Sequence, residues 1–196
     1  RPRIQIEHDG PCSAAINGDG ALGQVVGKQA MEIAIKKAAQ VGIGAVTVRD
    51  SNHYGIAAYY AMMALEQDMI GLSMTNARAR VVPTFARTGF FGTNPIGVAV
   101  PTAKELPWVL DMATSVVPEG KVEVYNRLGK ELPMGWVVRE GSQHLADAAD
   151  ALEMLRSEQE GGILPLGGFG EALSGHKGYG LGILVDILCG VLSGAH

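Results

Sequence analysis

Ser13-Ala14-Ala15-Ile16-Asn17, then residues 25–40, then Ala45-Val46-Thr47-Val48-Arg49, is the stretch that sets the fold class. The outer pieces read as short strands. Between them, Val26, Ala30, Ile33 and Ala34 fall on one helical face and Lys28, Glu32 and Lys36 recur at i, i+4 on another. Gly42 and Gly44 close this helix. Working outward, residues 56–67 read as a second helix rich in Ala and Met, and residues 70–76 as another strand. Strands alternating with helices argue for an α/β architecture.

Residues 78–95 break the pattern with a long, glycine-containing segment, and loops of that length are usually functional. Residues 96–100 and 108–112 read as strands on either side of a turn at Pro101 and Lys104. Residues 146–160 read as a charged, exposed helix, and residues 161–175 as a glycine-rich connection into a buried apolar helix at 181–192. No internal repeat or linker appears, so residues 1–196 read as a single region.

Composition excludes several classes of function. With 196 residues, 47% of them hydrophobic, there is material for a sizeable core. A net charge of −4 without a lysine-arginine cluster gives no general attraction to nucleic acid or an anionic membrane. The apolar run at 181–192 is too short to cross a bilayer and contains Asp186. No secretory leader pattern opens the chain. Cys12 and Cys189 show no paired spacing, which points to a reducing, cytoplasmic compartment. The five histidines are scattered away from ligand spacing, so no metal is expected, and no Gly-x-Ser-x-Gly elbow supports nucleophilic hydrolysis.

Ser174-Gly175-His176-Lys177-Gly178-Tyr179-Gly180 places a lysine and small residues at the mouth of the last helix, where backbone N–H groups, the positive helix end and an ammonium converge on a phosphate. His176, Lys177 and Gly178 are therefore candidate cofactor contacts, with a glycine-rich loop bearing a surface lysine as the alternative. The near match to a P-loop fails because His176 intrudes before Lys177 and Gly178 replaces the magnesium-binding Ser or Thr, which disfavours phosphotransfer. Gly18-Asp19-Gly20-Ala21-Leu22-Gly23 fits a dinucleotide fingerprint, but the next acidic candidate, Asp50, comes late for a ribose contact. A plain turn and helix entry is the alternative there.

Three further blocks carry polar side chains at the ends of strands. In Ser51-Asn52-His53-Tyr54-Gly55, His53 sits where open α/β sheets collect ligands and can exchange a proton near neutral pH. A helix-capping segment is the other reading. In Gly92-Thr93-Asn94-Pro95, Thr93 and Asn94 can orient a small carboxylate or carbonyl, or simply form a turn. In Asp111-Met112-Ala113-Thr114-Ser115, Asp111 can bind a ribose hydroxyl while Thr114, Ser115 or nearby N–H groups meet phosphate. Ser115 as a helix N-cap is the competing explanation.

Taken in order, these last three blocks with Gly175–Leu181 resemble the type-2 malate/L-lactate dehydrogenase family, which includes ureidoglycolate, sulfolactate and diketogulonate enzymes. The resemblance runs from the Asp19-Gly20 turn to the last helix. It implies a mixed sheet flanked by helices on a fold unlike the conventional Rossmann dehydrogenase, and it decides against the fingerprint at Gly18. It also implies hydride transfer between NAD or NADP and a 2-hydroxy or 2-oxo acid such as malate or lactate, in a homodimer. His53 would act as proton acceptor or donor, and the nicotinamide cofactor would be held by Ala77, by Asp111, Met112 and Ala113, and by Lys177. The family's Ser-His-Gly helical segment and its final cofactor residues have no counterpart here, so the chain reads as the central part of a longer enzyme. A non-catalytic nicotinamide-nucleotide-binding fragment is the alternative function.

Overall fold

The computed structural model describes residues 2–140, 143–157 and 160–195. The chain divides into two compact units, Arg1–Thr75 with Ile96–Met112 and Ile187–His196, and Asn76–Pro95 with Ala113–Asp186.

The first unit opens with β1 (Gln5–Asp9), β2 (Ser13–Ala21), α1 (Gly23–Val41) and β3 (Ala45–Ser51). β1 runs antiparallel and β3 parallel to the central β2, so this is a mixed sheet with α1 as the crossover. Val26 and Ala30 on α1 are buried with Ile16 and Ala21, and Ile33, Val46 and Val48 close around them. Gly42 caps α1 in the left-handed conformation (φ 90°), its N–H donating to the Ala38 carbonyl at 2.8 Å.

α2 (Ala57–Met63) tightens into a 3₁₀ turn at Ala64–Gln67, so the second expected helix is two shorter pieces. β4 (Gly71–Met74), β5 (Ile96–Val100) and β6 (Trp108–Met112) form an antiparallel sheet in that order. Small residues let α2 approach one face, since a Cβ on Gly71 would stand 2.0 Å from the Ala61 carbonyl oxygen. By register, the opposite face is the apolar set Leu72, Met74, Ile96, Val98, Leu110 and Met112.

The second unit holds α3 (Glu119–Arg127), β7 (Val137–Arg139), β8 (Gln143–His144), α4 (Ala148–Arg156), β9 (Gly161–Ile163) and α5 (Gly175–Asp186). Its antiparallel sheet has the order β8-β7-β9. Val81, Phe91, Val122, Val137, Leu152 and Ile163 anchor the core, which ties the long segment at 78–95 inward instead of leaving it a free loop. α4 also differs from the exposed helix expected. Ala148, Ala151, Leu152 and Leu155 recur at i, i+3, i+4 and i+7 and are buried, while charges occupy the other side.

Asp147 caps α4, accepting the Asp150 N–H at 2.8 Å. Asp147→Ala should cost about 1 kcal/mol and lower the thermal midpoint by roughly 3 °C, as read by circular dichroism. An unchanged midpoint would show that water serves the Asp150 N–H as well as the carboxylate does.

The last helix departs most from expectation. α5 stops at Asp186 and passes into a π-helical turn, Ile187–Val191. It is not buried all round, since Leu181 is 36% and Leu184 48% exposed. Instead it is buried along Gly175, Gly178, Gly182 and Val185, a stripe of mostly small residues at helical spacing. A Cβ on Gly178 would lie 2.2 Å from the Leu166 carbonyl oxygen, and one on Gly182 would lie 2.4 Å from the Phe91 ring. Among the described residues no helix is long and apolar enough to cross a membrane.

Candidate functional site

His53 lies just past β3 on a segment fixed from both sides. The Asn52 amide donates to the carbonyls of Gly20 (2.8 Å) and Ala21 (3.2 Å), at the end of β2. Gly23, the first residue of α1, packs so closely that a Cβ there would stand 2.1 Å from the Asn52 carbonyl oxygen. Gly18 and Gly20 lie in β2 itself, where its register with β3 shifts between Asn17 and Ala21. The glycines of the apparent fingerprint thus shape a β-bulge and a helix contact that support the histidine segment.

On the other side, Tyr54 stacks on Tyr60 at 4.7 Å between ring centroids, and the Tyr60 hydroxyl donates to the Tyr54 carbonyl. The Tyr54 hydroxyl shares a 3.2 Å hydrogen bond with Ser73, and burial pushes its pKa well up, so the phenol stays protonated. His53 itself is exposed. Its Nδ1 accepts the Gly55 N–H at 3.2 Å, which puts the proton of the neutral ring on Nε2.

In the same unit, Asp111 directs Oδ2 to the Ala58 N–H at 2.8 Å, at the start of α2. One carboxylate oxygen therefore serves the fold. Met112 and Ala113, next in sequence, are half-buried.

The second unit brings Ala77, Thr93, Asn94 and Thr114 together. Asn94 is fully buried with a left-handed backbone (φ 36°). Its Oδ1 accepts the Ala77 N–H at 3.1 Å, and its Nδ2 donates to the Gly182 carbonyl at 2.8 Å and to Asp186 Oδ2 at 3.0 Å. Both ends of the side-chain amide expected to orient substrate are engaged by the protein, so Asn94 holds its neighbours.

The hydroxyls of Thr114 and Ser115, expected with nearby N–H groups to meet phosphate, are likewise engaged by the main chain. Thr114 is fully buried and donates to the Asn94 carbonyl at 3.1 Å, while Ser115 donates to the Val117 carbonyl at 2.8 Å. Ser115 does not cap α3 either, because the N-cap position belongs to Pro118. The Thr93 hydroxyl, on a half-buried residue, makes no hydrogen bond among the described residues.

His176 and Lys177 are exposed in the first turn of α5, while Gly178 is buried against Leu166. Gly178 is thus accounted for by packing. Lys177 forms no ion pair among the described residues, which leaves its ammonium available to an anion. Asp186 was legible only as an interruption in an apolar run. Burial raises its pKa, and the Asn94 and Asn76 side chains donate to the carboxylate and oppose that shift.

These segments sit on a non-Rossmann α/β framework shared with known dehydrogenases. The family model described as malate/L-lactate dehydrogenase matches residues 1–196. The chain belongs to this family. It is 55% identical over 197 residues to the malate dehydrogenase of Pyrococcus abyssi, covering 98% of this chain and 51% of that protein. It is 41% identical over 191 residues to the L-sulfolactate dehydrogenase of Methanocaldococcus jannaschii, covering 97% and 51%. Among solved structures, malate dehydrogenase from Entamoeba histolytica superposes with a TM-score of 0.94 at 36% identity, covering 100% of this chain and 54% of that one. The chain spans about half the length of the curated relatives it matches.

Proposed function

We propose that this chain serves an oxidoreductase that transfers a hydride between NAD or NADP and a 2-hydroxy or 2-oxo acid of the malate, lactate or sulfolactate type. Family membership and relatives named malate and L-sulfolactate dehydrogenase support the reading. The observation that carries it within this chain is His53, exposed at the end of β3 with Nδ1 engaged and Nε2 unbonded among the described residues. A cytoplasmic homodimer, with residues 1–196 as a cofactor- and substrate-binding region, belongs to the same proposal.

The fit to a nicotinamide nucleotide rests on the donor set. Lys177, exposed and in no ion pair among the described residues, would hold a phosphate, with His176 beside it. In the first unit Asp111 retains one oxygen for a ribose hydroxyl, with the Met112 backbone beside it, and in the second the backbone of Ala77 and Ala113 is offered to the nucleotide. When bound, the nucleotide supplies the hydride acceptor or donor at its nicotinamide ring. His53, as imidazolium, would give its Nε2 proton to the substrate's C2 oxygen in reduction and recover it in oxidation, with the Gly55 contact at Nδ1 giving way to an Nδ1–H, a role that contributes about 10²–10⁴-fold in rate. The Thr93 hydroxyl orients the acid, and Asn94 keeps Thr93 and Ala77 in place.

Lys177→Ala is expected to raise the dissociation constant for NADH or NADPH about tenfold, the loss of one charge-assisted contact. Quenching of Trp108 and Trp136 emission reads binding. Unchanged affinity would remove Lys177 from the cofactor site. Turnover is tested with malate, lactate and a panel of 2-oxo acids with each nucleotide, where binding without turnover would select the nucleotide-binding fragment instead.

A further inference from the structure

We propose that Asp186, in the last turn of α5, is a positioning residue for the nicotinamide nucleotide, acting through Asn94 and Asn76 on the segment that carries Ala77. The inference rests on the function proposed above, which assigns Ala77 to the cofactor. Ala77 has no functional side chain, so whatever it offers a ligand depends on how its main chain is held. Its N–H is fixed by Asn94 Oδ1 at 3.1 Å, and Asn94 is held in turn by Gly182 and Asp186 at 2.8 and 3.0 Å. The Asn76 side chain donates a second hydrogen bond to the same carboxylate. Both donors to Asp186 therefore bear on the 76–77 segment, one directly and one through Asn94.

An apolar residue would continue the sequence pattern from Leu181 to Leu192. A half-buried carboxylate is disfavoured by desolvation, and among the described residues no cation forms an ion pair with it. Two neutral amides answer it instead. Such an arrangement does little as filler and much as a clamp, because it holds a fully buried asparagine in a left-handed backbone conformation that few non-glycine residues adopt. Support of this kind, behind the groups that touch a ligand, fixes their orientation.

The test compares the wild-type chain with Asp186→Ala and Asp186→Asn, reading the NADH dissociation constant, amide exchange at Ala77 and the thermal midpoint. Asp186→Ala is expected to weaken NADH about tenfold and to speed Ala77 exchange by a similar factor. Asp186→Asn keeps an oxygen that can accept from Asn94, so its affinity should stay within about threefold of wild type. The inference is overturned if Asp186→Ala binds NADH as wild type does, or if both variants lose affinity equally and in step with the thermal midpoint. Should Asp186→Ala not fold, Asn76→Ala leaves α5 intact and carries the same expectation at about threefold, with unchanged affinity counting against the inference. A wild-type chain that binds neither NADH nor NADPH refutes the cofactor function itself, before any variant is compared.

Discussion

Gly178→Ala should lower the thermal midpoint by about 10 °C, whereas Gly180→Ala, two residues further along the same helix, should raise it by about 2 °C. The sign differs because of what each added methyl meets. At Gly178 it would enter the space of the Leu166 main chain, 2.2 Å from the oxygen and 2.4 Å from the nitrogen. Backbone cannot rotate aside as a side chain can, so the clash belongs at the upper end of overpacking costs, about 3 kcal/mol. At Gly180 there is nothing within 4 Å, and the change only improves helix propensity, by up to about 1 kcal/mol. Paired thermal melts with nucleotide titrations decide the matter. If Gly178→Ala melts as wild type does and instead loses NADH affinity, the glycine makes room for a phosphate and the packing account is wrong.

Under the proposed function, His53→Ala should reduce turnover about 10²–10⁴-fold while changing nucleotide affinity less than about twofold. The imidazole is presented by a segment whose other groups are already occupied. Asn52 is bonded to Gly20 and Ala21, Tyr54 is stacked and hydrogen-bonded, and Gly55 gives its N–H to Nδ1. Removing the ring therefore leaves the Asn52 and Tyr54 anchors in place, releases the exposed Gly55 N–H to water and takes away the group at Nε2. His53→Gln retains hydrogen-bonding capacity but cannot exchange a proton, and should recover little of the rate. A His53→Ala enzyme with undiminished turnover would move the proton-exchanging role to another residue.

The elements legible in the sequence were those with a clear period. The amphipathic stripe of α1 and the β-branched run of β3 placed both elements, and β5 and β6 were placed to the residue. α3 and β7 to β9 were missed. They span only two to nine residues each and gain their stability from the shared core around Val122, Val137 and Ile163 more than from local pattern. Glycines were the hardest to interpret. In sequence a glycine that admits a phosphate and one that admits a neighbouring main chain look alike, and only coordinates separate Gly178 from the first kind.

Polar residues divided similarly. Asn94, Thr114 and Ser115 drew attention because their groups can bind ligands, but their burial could not be read from spacing. Asp186, whose surroundings give it a task, looked like an interruption in an apolar helix. Lys177 and His53 have positions that agree with the sequence reading because both lie at element ends, where exposure follows from the boundary itself.

The interleaved composition of the two units bears on how the chain is made. Its path passes from one unit to the other after Thr75, Pro95, Met112 and Asp186. A ribosome delivering residues in order must therefore leave the first unit unfinished, lacking β5, β6 and its closing segment, while the intervening parts of the second emerge. Asn94 likewise waits for Gly182 and Asp186, about ninety residues behind it in translation, before its amide is satisfied. Neither unit can be cut out at a single pair of boundaries, and a nascent chain arrested anywhere before Asp186 has completed neither.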